Sequence, residues 1–151
     1  MQHQPYADVL RHSPDFVVRY RFYTPEEGGR WQLPVQGVRF DFTYADKALN
    51  GPSVWMIWPE LEDETGAVIR DKTEPVPASG TARMWIINAA NRYLHQGKIS
   101  LGTKGYFMEG TRRVAACEVI EIAGLLTNPQ PPRPPAAPAP RPGTRRRKSR
   151  A

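Results

Sequence analysis

The chain has one cysteine and three histidines in 151 residues. A lone thiol, Cys117, cannot close an internal disulfide, and a zinc site built on four cysteines is excluded. His3, His12 and His95 are scattered, so their spacing gives no reason to expect a metal centre. No apolar run approaches the roughly 18–20 residues that a membrane helix needs, and Met1 to Arg21 lacks the apolar stretch of a secretory leader. The expected setting is a reducing cytoplasm, with no membrane partner. Three signatures of chemistry are also missing: a G-x-x-x-x-G-K-[ST] phosphate loop, a G-x-S-x-G nucleophile elbow and an H-E-x-x-H pair. Gly97-Lys98-Ile99-Ser100 has neither the spacing nor the hydroxyl of a phosphate loop. These absences argue against an enzyme, and no cofactor is expected.

Acidic residues are missing from one end of the chain. Residues 127–151 hold seven of the 21 basic residues and no acid, which leaves 14 basic groups against 15 acids, net −1, for residues 1–126. The formal charge of +6 and the pI of about 9.8 therefore belong to the tail. From Asn128 to Pro142 eight of fifteen positions are proline, which cannot extend a helix or donate to a ladder, so residues 126–151 read as an extended, disordered linker. It ends in Arg145, Arg146, Arg147, Lys148, Ser149 and Arg150. Such a cluster either tethers the chain electrostatically to a polyanion or serves only solubility.

Long helical periodicity is missing too; at most Ala89 to Gln96 could form a helical turn or two. Residues 15–125 are instead built of β-patterned segments. Phe16, Val18, Tyr20 and Phe22 alternate with Val17, Arg19 and Arg21, and Val38, Phe40, Phe42 and Tyr44 repeat the pattern. Ser53 to Trp58 reads as a strand covered on both faces. Arg83 to Asn88, a strand starting at Gly105 to Met108, and β-branched Val114 to Ile122 complete the set. Glycine- and proline-rich turns separate them, the pattern of a small antiparallel barrel or sandwich. Residues 1–14 read as a frayed polar arm. Glu60, Glu62, Asp63 and Glu64 read as a solvated acidic loop, and Cys117 as a buried, inert thiol.

Two clusters stand apart. Thr24-Pro25-Glu26-Glu27-Gly28-Gly29-Arg30-Trp31 is followed by Gly37-Val38-Arg39, combining a tight turn with cationic and stacking side chains. Met108-Glu109-Gly110-Thr111-Arg112-Arg113-Val114 is a glycine turn feeding an apolar strand. Each alone is also what an ordinary hairpin turn looks like. Trp55, Trp58 and Trp85 lie within strands, where core packing is expected.

In this order, Pro25-Glu26-Glu27-Gly28-Gly29-Arg30, Gly37-x-Arg39-x-x-Phe42 and Glu109-Gly110-Thr111-Arg112 resemble the third, C-terminal domain of bacterial elongation factor Tu. The likeness spans about residues 16 to 123 and is weak over residues 45 to 75. It implies a six-stranded antiparallel β-barrel that is not catalytic and that helps hold the T-stem of aminoacyl-tRNA. Arg30 and Gly110 fall on positions that face tRNA in that family, and Trp31 stands where histidine is usual. Ala115 and Cys117 replace glycines of the family. The factor's GTPase domain has no counterpart here, so GTP binding is not expected.

The candidate RNA-binding residues are therefore Arg30, Trp31, Arg39, Gly110 and Arg112, with Arg145, Arg146, Arg147, Lys148 and Arg150 adding salt-sensitive affinity. The expected partner is tRNA, another RNA or a component of the translation machinery. The alternative is a protein-interaction module, an adaptor, inhibitor or immunity-type protein, that reuses the barrel without RNA.

Overall fold

The computed structural model describes residues 2–50 and 54–133. The alternation in the first apolar segment gives β1 (Phe16–Phe22), followed by β2 (Asp41–Tyr44), β3 (Ile57–Leu61), β4 (Ser79–Ile86), β5 (Lys104–Glu109) and β6 (Arg112–Ile122). Short helix α1 (Tyr6–Leu10) precedes β1, α2 (Lys47–Asn50) and α3 (Arg92–Gln96) lie between strands, and α3 continues a 3₁₀ turn over Ala89–Asn91, where the sequence allows one or two helical turns. All pairings are antiparallel, in the order β2-β5-β6-β1-β4-β3. The first strand thus lies near the middle of the sheet, with β4 on one side and β6 on the other.

The sheet curls round an aromatic core. Phe16, Val18, Tyr20 and Phe22 of β1 point inward with Phe40, Phe42, Tyr44, Met84 and Phe107. Phe40 and Phe107 stack with centroids 6.3 Å apart, and Phe42 meets Tyr44 edge-on at 5.0 Å. Register shifts at Val17/Val18 and at Phe107/Met108 sharpen the curl. The curl brings the two edges together: Phe42 of β2 and Trp55, just before β3, exchange backbone bonds (Phe42 N–H to Trp55 O, 2.9 Å; Trp55 N–H to Phe42 O, 2.8 Å), and Trp58 Nε1 of β3 donates to Asp41 of β2 at 3.3 Å.

Three strands start three or four residues away from where the sequence suggests. The second ladder begins at Asp41, not Val38, although Phe40 is already buried. The third runs over Ile57–Leu61 rather than from Ser53, which lies outside the described residues. Val54 and Met56 are 38% and 49% exposed, so the apolar run is not covered on both faces. The fourth starts at Ser79, four residues early, because Ser79 to Ala82 pair with Arg21 to Val18 despite their weak strand preference.

The arm is docked, not frayed. The curled sheet is a half-barrel; Trp85 and Glu60 point away from its core, and residues 2–12 cover them. Glu60 accepts from the Tyr6 backbone N–H (2.8 Å) and Trp85 Nε1 (3.1 Å), and it contacts His3 Nε2 at 2.6 Å. Tyr6 and His12 pack on the Trp85 ring, which is fully buried. Two acids expected in a solvated loop are therefore sequestered, since Glu62 also accepts from Arg83 Nε (2.8 Å) and Thr81 (2.7 Å).

The other end of the body is fixed by a buried ion pair. Asp15 accepts from Arg92 Nε (2.7 Å), the Ile86 N–H (2.8 Å) and Asn128 Nδ2 (3.0 Å). Asn128 also donates to Ser13 O, and Arg92 Nη1 contacts Pro129 O. The body therefore continues past residue 125 to about Pro129. The cluster Arg145 to Arg150 lies outside the described residues.

Candidate nucleic-acid interface

The loop after β1 is held by its own side chains. Thr24 caps the 3₁₀ turn Pro25–Glu27, accepting from Glu27 N–H (3.3 Å), while the Glu27 carboxylate accepts from Thr24 N–H (2.9 Å). Arg21 grips the same carboxylate through two nitrogens, at 2.9 and 3.2 Å. These bonds, Arg21 first and the Thr24 backbone second, lower the Glu27 pKa to about 2. At Gly28 the backbone turns left-handed (φ 91°). A Cβ on Gly29 would lie 2.2 Å from Tyr23 O, so the chain can fold back here only with glycine. What this turn presents is Arg30 and Trp31.

Arg30 lies over the Phe40 ring at 5.7 Å and reaches within 3.8 Å of Glu109. Glu109 ends β5, and Gly110 (φ 62°) and Thr111 form the two-residue turn to β6. Arg112 donates to the same Glu109 carboxylate at 2.8 Å. Arg30, Gly110 and Arg112 thus gather round one acid, while Trp31 stands beside them 87% exposed. A cavity of about 200 Å³ opens next to it, lined by Tyr23, Pro25, Arg30, Trp31, Leu33 and Pro34 among others.

The Arg39 side chain does not join this group. Its guanidinium lies over the Trp58 ring at 4.8 Å and faces Tyr6, on the side covered by the arm. The resemblance includes Glu109 in its motif but gives no role to its carboxylate, which Arg112 bonds and Arg30 approaches. It also overlooked Tyr23 and Tyr106, which carry Arg21 at 5.3 Å and Arg113 at 4.1 Å. Their signal was visible as arginines on the outward positions of strands.

Elsewhere the titratable groups are packed away. Burial pushes the Cys117 thiol up, and burial followed by Lys98 lowers His95 to about 4. Neutral His95 shares a 2.6 Å hydrogen bond with the Tyr44 hydroxyl. Among the described residues, no group of three or more His, Cys, Asp and Glu side chains could hold a metal ion, and no helix is long and apolar enough to cross a membrane. No known family model matches the chain, and no curated protein matches it.

Proposed function

We propose that this chain is a non-catalytic binding module, related in kind to the third domain of elongation factor Tu, and that it binds RNA through Arg30, Trp31, Gly110 and Arg112. The observation that carries this reading is Trp31: a large ring, 87% exposed, on a loop fixed by a capping box and a glycine fold-back. An exposed indole on a rigid loop offers a face to a base, worth about 1–3 kcal/mol. Beside it two guanidiniums face a single carboxylate, leaving positive charge and the exposed Arg112 guanidinium for phosphate oxygens. The antiparallel six-stranded sheet and the pairing of the Gly28-Gly29 loop with the Gly110 hairpin accord with the family likeness.

Glu109 favours a second reading. By offsetting part of that charge it leaves Trp31 as an anchor suited equally to a protein surface. Binding of total tRNA by the full chain across a salt series separates the two. Under the RNA reading, Arg30→Ala with Arg112→Ala weakens binding about tenfold near physiological salt, whereas deleting the residues after Arg133 mainly flattens the salt dependence. If only the tail deletion matters, RNA binding does not belong to this face and the protein-partner reading replaces it.

A further inference from the structure

The body's near-zero charge conceals a segregation. The outward side of β5, β6 and β1 carries Lys104, Arg113, Arg19 and Arg21, with Glu118 and Glu121 as acids of β6, while Glu60, Glu62, Asp63 and Glu64 collect on and after β3, where Glu62 reaches back to Thr81. Register sets the cations in rows. Lys104, Glu118, Arg19 and Thr81 lie across four adjacent strands, and Tyr106, Ala116, Arg21 and Ser79 lie across the same strands one row on. Because Ala116, Ser79 and Thr81 are short, the cationic side chains stand round a shallow trough of about 610 Å³.

Two of these cations are unengaged. The Arg19 and Lys104 side chains make no hydrogen bond or ion pair with any described residue, and Glu118, in register between them, pairs with neither. Arg21, by contrast, is held on Glu27 and over Tyr23. Tyr23 in turn lines the cavity under Trp31. Cations and rings therefore succeed one another from Lys104 and Arg19, through Arg21 and Tyr23, to Trp31. Arg19 and Arg21 project about 7 Å apart, two strand steps.

Resting on the RNA reading above, we infer that this outer face is the continuation of that site and tracks the sugar-phosphate backbone of an unpaired strand, with Arg19 and Lys104 as free phosphate contacts. A positive trough interleaved with aromatic and guanidinium stacking surface is what sequence-tolerant single-strand binding requires. An acidic peptide would engage the cations and leave Tyr23, Tyr106 and Trp31 unused.

The test uses the full chain and fluorescein-labelled oligouridines of about four and about twelve nucleotides. Arg19→Gln with Lys104→Gln, checked for an unchanged melting temperature, is expected to weaken the longer probe on the order of tenfold and to lower its salt slope by about 1.4, with little effect on the shorter one. Trp31→Ala weakens both. If the double variant binds the longer probe like the wild type while Trp31→Ala does not, the outer face is not the path, although the RNA reading stands. If polyglutamate displaces the longer probe as well as unlabelled oligouridine does, the trough takes any acidic chain and the inference is overturned. If neither variant changes binding, both the inference and the RNA reading fall.

Discussion

Trp85 and Trp31 both point away from the barrel core, and the molecule treats them oppositely. Trp85 is sealed: the arm lays Tyr6 and His12 on its ring, and Glu60 accepts its N–H. Trp31 has no such cover and sits on a loop stiffened so that it stays out. The same contrast holds for arginines. Buried Arg92 spends its guanidinium on Asp15, Ile86 O and Pro129 O, whereas the half-buried Arg30 reaches only within 3.8 Å of Glu109, with its Nη1 buried and unpaired. Where this chain needs an outward side chain for stability, it supplies a partner. The face that carries Trp31 has no such cover among the described residues.

The sharpest way to break the comparison is on the sealed side. Removing one member of the Asp15–Arg92 pair, as in Arg92→Met, strands a buried charge and is expected to cost about 3–5 kcal/mol in urea unfolding. Arg30→Ala should stay within about 0.5 kcal/mol. Equal losses would erase the distinction. Next is pH. Because His95 is held at about 4 against an ordinary 6.5, the unfolded chain takes up a proton first as pH falls. Stability from this group is full above about 6.5 and is lost as pH drops towards 4, about 3 kcal/mol in all. His95→Gln should flatten that limb of the stability–pH curve. Glu60→Gln removes the carboxylate that His3, Tyr6 and Trp85 share, for a loss of about 1–3 kcal/mol and a red shift of the Trp85 emission as the arm loosens. The smallest stability effect belongs to Trp31→Ala, under about 0.5 kcal/mol. Under the proposed RNA reading, its affinity for RNA should nonetheless fall by about 1–3 kcal/mol, and a thermal melt beside a binding titration reads both.

Much of the sheet is legible where a rule of period two is strong. β1 and the apolar half of β6 lie where Phe16 to Phe22 and Val114 to Ile122 place them. Legibility fails where a partner is distant. Glu60 reads as a loop acid because nothing near it announces His3, 57 positions away, and the arm reads as frayed because its anchor is that same buried carboxylate. Ser79 and Gly80 enter a strand only because β1 offers them a ladder. For the site, adjacent glycines made the loop conspicuous and the family likeness brought Arg30, Gly110 and Arg112 together. The motif Gly37-x-Arg39-x-x-Phe42 places Arg39 with them by the same likeness, but a stack on Trp58 takes its side chain elsewhere.

The position of β1 carries a consequence for how the protein is made. Phe16 lies opposite Met84 on one side and Ile122 on the other, and Asp15 is joined to Asn128. The strand that leaves the ribosome first therefore stays unsatisfied until nearly all the rest of the body has followed it. Its phenylalanines are the longest-waiting apolar surface in the chain. With its central pairings so remote in sequence, the body should acquire its native structure late in synthesis or after it, in milliseconds to seconds. During that interval Phe16 to Phe22 is the stretch most in need of shelter by chaperones.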